Sequence, residues 1–150
     1  NISIKIKEVV RMRNELKKIC GQRRRFNGIM VRVGKRNHYR GSRLDLYTIL
    51  FRDVKDEEGN IVADHLWLDC VPTFTALHPS YGDIVEFEGT VESYIRGVSS
   101  RRNYYYTGTM SLDYTIRNIK NSRVIGQIKE EDMEDKLKWY DREENKEIGC

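Results

Sequence analysis

Arginine and aromatic residues concentrate in two stretches of this sequence, GKRNHYRGSR (34–43) and RGVSSRRNYYYTG (96–108). The first holds Lys35, Arg36, His38, Tyr39, Arg40 and Arg43. The second holds Arg96, Arg101, Arg102, Tyr104, Tyr105 and Tyr106. Cationic side chains displace counterions from phosphates, and aromatic rings stack on unpaired bases for roughly 1–3 kcal/mol per base. Arginine does both, because its guanidinium is planar as well as charged. These residue types side by side suit an anionic ligand with open base faces, a single strand of DNA or RNA rather than a duplex. The plainer use of the tyrosines is packing. Strand alternation would send Tyr105 one way and Tyr104 and Tyr106 the other, so at least one is expected in the core.

Other chemistries find little here. The histidines His38, His65 and His78 and the cysteines Cys20, Cys70 and Cys150 are scattered, with no paired ligand spacing, so no metal site is expected. No GxSxG, phosphate loop or HExxH occurs, and Asp64 and Asp69 beside His65 on one strand do not make a catalytic geometry. We expect no enzyme activity and no cofactor. An odd, widely spaced set of cysteines argues for a reducing intracellular compartment, cytoplasmic or nucleoid-associated. No apolar run approaches the roughly 18 residues of a membrane span, and no signal peptide is expected.

Charge divides the chain. Residues 128–150 carry nine acids and five bases, whereas residues 1–127 carry 22 bases and 14 acids. A basic body with an acidic end points to an anionic partner for the body.

The elements that would position these residues follow from periodicity. Val9, Met12, Leu16 and Ile19 make one helical stripe that Gly21 is placed to end, giving an N-terminal helical segment over 1–21. Strands follow in RFNGIMVRV, LDLYTILFRDV, IVADHLWLDC, GDIVEFEGTVESYIRG and LDYTIRNIKNSRVI. The second and third form a hairpin around Glu58, Gly59 and Asn60, and a short helix near Phe74 to Leu77 interrupts the sheet. Gly89, on the apolar side of the fourth strand, suits a sharp bend or a bulge. The fifth strand is expected to reach a turn near Lys120 and Asn121. Met133, Leu137 and Tyr140 give residues 128–150 an acidic amphipathic helix, with a side for the body or for a protein partner.

This order of elements, with the break after WLDC and the run YGDIVEFEGTVESY, resembles the OB-fold over Gln22 to about Ile125. An SH3-like barrel is the structural rival. The resemblance implies a mainly β protein: a five-stranded antiparallel OB-like barrel over 22–127, with flanking helices. It also implies a ligand face flanked by the loops after strands one and four, which are the two basic, aromatic stretches. Alternation on the first strand would place Ile29, Val31 and Val33 inside with Leu66, Leu68, Val85, Phe87 and Val91. Arg24, Phe26, Met30 and Arg32 would then face the ligand, with Trp67 as a stacking platform or as packing beneath a helix. Glu86, Glu88 and Glu92 form an acidic row that must point away from that groove. The expected function is non-enzymatic single-strand binding. The rival class is a protein-binding module, such as an inhibitor or subunit of a nucleic-acid-processing enzyme.

Overall fold

The computed structural model describes residues 15–36, 46–96, 111–129 and 131–132. Five antiparallel strands form one sheet in the order β3-β2-β1-β4-β5: β1 (Arg23–Arg36), β2 (Leu46–Asp56), β3 (Ile61–Asp69), β4 (Asp83–Arg96) and β5 (Ser111–Gln127). A helical turn, α1 (15–18), precedes β1, and α2 (Pro72–Leu77) connects β3 to β4.

The predicted helical stripe is present where it can be seen. Leu16 is buried in the core, Ile19 packs on it, and Gly21 takes a left-handed φ of 84° that ends the turn. The Gly21 N–H then donates to Val91 O, and the Val91 N–H donates to Gln22 O, which fastens the segment to β4. Val9 and Met12 lie outside the described residues. The hairpin also forms where expected. The Asp56 carboxylate accepts the N–H groups of Glu58 and Asn60 at 2.9 and 3.0 Å, closing the β2–β3 turn.

The core is aromatic at its centre. All four phenylalanines of the chain, Phe26, Phe51, Phe74 and Phe87, are fully buried together. Phe87 stands 5.4–6.0 Å from each of the other three rings, edge-on to Phe74. Val85, Val91 and Leu68 surround this cluster, and Leu66 packs against it from a partly buried position.

The alternation expected of β1 is corrected. Phe26 and Met30 are inside, whereas Ile29 and Val31 join a second, smaller cluster with Leu50, and Val33 is 50% exposed. Phe26, Gly28 and Met30 alternate inward without interruption, so the inward set has the opposite parity to the one expected. The register then shifts between Met30 and Arg32, where one extra β1 residue turns Arg32 to the face of Ile29 and Val31. The long side chains of Phe26 and Met30 fill the interior that the valines were expected to fill.

Barrel closure is corrected as well. The sheet is open, and its edge strands β3 and β5 share no hydrogen-bonded ladder. Helix α2 covers the β5 edge instead. The Ser122 N–H donates to Thr73 Oγ1 at 3.1 Å, and the Ser122 hydroxyl reaches Thr73 O at 3.0 Å. A covered edge has its backbone groups satisfied and needs no strand partner. The turn expected near Lys120 and Asn121 is a local twist: Asn118 and Asn121 have φ of 54° and 57°, and β5 continues to Gln127.

Candidate functional site

The extra β1 residue between Met30 and Arg32 gathers Ile29, Val31 and Arg32 on one surface. Cross-strand partners share a face. Arg32 lies opposite Leu50, which lies opposite Trp67; Ile29 lies opposite Arg52, which lies opposite His65. These two rows form the outer face of β1–β3, behind the phenylalanine core. Val31 and Leu50 are buried there, with Ile29, Trp67 and Ile128 packed around them.

Trp67 lies down on this face rather than standing off it. A Cβ added at Gly34 would meet Trp67 Cζ3 at 2.9 Å, so the indole rests where β1 has no side chain. The Arg32 guanidinium sits 5.4 Å from the ring centroid, a cation–π distance. A tryptophan on glycine beside an arginine is a rigid, partly buried, positively charged platform. Packing and stacking, the two uses open to Trp67, are therefore compatible on one side chain.

Arg52 is a residue that sequence motifs do not single out. It is 1% exposed, and its Nη2 lies 3.7 Å from Asp53 Oδ2. Its Nε and Nη1, and the Trp67 Nε1, are buried with no hydrogen-bond partner among the described residues. A signal for it exists in TILFRDV: with Ile49 and Phe51 inward, Leu50 and Arg52 must point outward, and the hairpin register places them against Trp67 and His65. His65 Nδ1 lies 3.6 Å from Asp64 Oδ2. Among the described residues no group of His, Cys, Asp and Glu is arranged to hold a metal ion.

The rest of the outer face differs in character. Across β1, β4 and β5 the acidic row is paired with arginines. Glu88 meets Arg25 at 3.1 Å and Arg23 at 3.8 Å; Glu86 meets Arg123 at 3.0 Å and Arg25 at 3.7 Å; Glu92 meets Arg117 at 3.4 Å. The acidic row thus pairs with arginines of β1 and β5, while the described carboxylate neighbour of Arg52 is Asp53. Arg24 belongs to neither group. It is hydrogen-bonded to Glu57 and lies 3.7 Å from Asp56, at the end of the sheet that carries the β2–β3 turn. Phe26, also expected to face a ligand, is in the core.

These pairs set a pH dependence. The hydrogen bond from Arg24 holds the Glu57 carboxyl below its ordinary value, and hydrogen bonds from Arg25 and Asn121 do the same for Glu88. A depressed folded pKa stabilises the fold fully above the unfolded glutamate value of about 4.3, and that contribution is lost as pH falls through the folded value. Both groups are solvent-accessible, so the effect is small. Denaturant unfolding from about pH 6 to pH 3 is expected to show a shallower acid limb in Glu57→Gln and Glu88→Gln chains than in the wild type. Identical limbs would remove these pairs from the account.

The remaining candidates sit at the strand ends. Lys35 and Arg36 close β1 and Arg96 closes β4, where Arg36 pairs with Leu46 and Arg96 with Ser111. Because β1 and β4 are antiparallel, these two hairpins leave the sheet at opposite ends of their shared ladder. His38, Tyr39, Arg40, Arg43, Arg101, Arg102, Tyr104, Tyr105 and Tyr106 lie outside the described residues.

The fold is thus a mainly β domain with a five-stranded antiparallel sheet, compatible with an OB-like arrangement, and no described helix is long and apolar enough to cross a membrane. Comparison with known proteins adds no family: no family model, no curated protein and no solved structure matches the chain.

Proposed function

We propose that this is a non-enzymatic OB-like domain that binds single-stranded DNA or RNA across the outer face of β1–β3. The basic, aromatic segments 37–45 and 97–110 would extend the contact. The observation that carries the reading is the Trp67 indole laid on Gly34 beside the Arg32 guanidinium. A flat ring supplies stacking for a base of any sequence, and the adjacent cation serves the phosphate that accompanies it. The domain would act inside the cell, in a reducing compartment, without a cofactor.

A protein-binding role has one observation in its favour. Ile95 and Leu112 are cross-strand partners near the tip of the β4–β5 hairpin, and each is 60% exposed. An apolar pair of this kind is a common protein contact.

Fluorescence anisotropy with labelled single-stranded DNA, single-stranded RNA and duplex, at about 50 and 200 mM salt, separates the readings. Single strands are expected to bind more tightly than duplex, with affinity falling as salt rises. Trp67→Ala is expected to cost about 1–3 kcal/mol of binding. The double change Arg101→Ala and Arg102→Ala is expected to lower the salt slope by roughly 1.4, about 0.7 for each phosphate that is no longer neutralised. Absence of binding to any of the three at low salt rejects the nucleic-acid reading.

A further inference from the structure

Arg52 poses a problem that the described residues do not solve. Arginine stays charged at any ordinary pH, and a buried charge needs acceptors for its N–H groups. Arg52 is 1% exposed, with Asp53 Oδ2 at 3.7 Å its one described carboxylate neighbour. Nε and Nη1 have no described acceptor, nor does the Trp67 Nε1 on the next row of the same face. All three atoms are donors. What completes this face must bring acceptors, and beside a cation it should bring anionic ones.

The chain itself delivers such groups to this place. After β5 the Ile128 N–H donates to Gly82 O at 2.9 Å, and Ile128 packs into the cluster of Ile29, Val31, Leu50 and Trp67. The backbone then turns, with the Asp132 N–H donating to Lys129 O at 3.0 Å and residues 131–132 helical. From Glu130 to Glu147 the sequence carries nine acids and four bases, with Met133, Leu137 and Tyr140 at helical spacing. A helix over the first nine of these residues would run about 13 Å, enough to cross three strands spaced about 4.8 Å apart. Covalent attachment at Ile128 makes the local concentration of these carboxylates high.

We propose that the acidic C-terminal segment, Glu130 to Glu147, docks on the outer face of β1–β3 and supplies carboxylate acceptors to Arg52 and the Trp67 indole. Its apolar side lies toward Ile29 and Trp67, and its acids lie toward Arg32 and Arg52. The docked segment occupies the surface that an anionic ligand would need, so such a ligand must displace it.

The test uses the full chain in a Trp139→Phe background, which leaves Trp67 as the sole indole. Nitrogen–proton correlation NMR follows the Trp67 Nε1–H and Arg52 Nε–H resonances. A second chain also carries Glu130→Gln, Glu131→Gln, Asp132→Asn, Glu134→Gln and Asp135→Asn. Both resonances are expected to move when these acids are neutralised; resonances that stay in place overturn the docking. Thermal unfolding gives an independent readout. Neutralisation is expected to lower Tm in the parent and to have little effect in an Arg52→Met chain, whereas equal losses in both overturn the link to Arg52. A single-stranded oligonucleotide is expected to bind the neutralised chain about tenfold more tightly than the parent at low salt. An oligonucleotide that binds neither chain rejects the nucleic-acid reading and leaves the docking standing on its resonances. One that binds both chains alike, with unmoved resonances, rejects the docking alone.

Discussion

Phe87→Ala is expected to cost the fold about 3–5 kcal/mol, the range for truncating a fully buried phenylalanine. For a chain of this size that corresponds to a fall in Tm of about 6–20 °C. Phe87 contacts the other three phenylalanines, so its removal leaves a void that no single neighbour can fill. Two terms add: the transfer free energy of the missing ring, and the cavity left between strands that cannot close without breaking ladders. Urea unfolding of the wild type and the variant gives the difference directly. A destabilisation below about 1 kcal/mol would mean that the core is not built around this ring. Phe26→Ala serves as a companion, because Phe26 lies 6.0 Å from Phe87 and is equally buried. Any loss of oligonucleotide affinity in that chain is expected to track its loss of stability, since a core ring has no base to stack on.

Gly89→Ala is expected to cost about 1–3 kcal/mol, although alanine adds only a methyl group. That methyl would lie 2.3 Å from Ile116 Cγ2 and 3.2 Å from Arg117 O. The isoleucine is itself buried, and the carbonyl belongs to the backbone of β5, so neither can retreat cheaply. The site lies within a register irregularity of the β4–β5 ladder, between Glu88 and Thr90, where the facing strand comes close. Gly126→Ala is the control: its added Cβ would meet Ile84 Cδ1 at 3.4 Å, an ordinary contact, and little change is expected. If the Gly89 and Gly126 chains unfold at the same denaturant concentration, β5 does not come close at Gly89.

Function would respond differently to these changes. Phe87 and Gly89 hold the sheet that carries the outer face, so their variants would weaken ligand binding only as far as they unfold the domain. Trp67 is on the outer face that the proposed ligand would meet, so Trp67→Ala is expected to separate binding from stability. An intact fold with altered binding is therefore the signature of the outer face.

Much is legible in sequence where a local signal is strong. Asp56, Glu58, Gly59 and Asn60 announce a turn by their own chemistry, and the turn forms. Leu16 and Ile19 with Gly21 announce the end of a helix, and the backbone ends it there. The alternation of Val85 and Phe87 against Glu86 and Glu88 assigns both faces of β4, because the extra residue of the register shift there falls on β5. These properties depend on residues within a few positions of one another. The direction of β1 and the closure of the sheet do not. A one-residue irregularity beside Met30 leaves little mark in the sequence, because its cost is set by the facing residues of β2, yet it brings Arg32 onto the face of Trp67. Likewise Thr73 on α2 bonds Ser122 on the β5 edge, a contact spanning 49 residues that no local pattern encodes. Sequence alone therefore determined the strands, the hairpin turn and the charge division between body and tail. Only the tertiary structure decided which face each β1 residue meets, and so which side chains surround Trp67, because pairing across strands fixes a face that alternation within one strand leaves free.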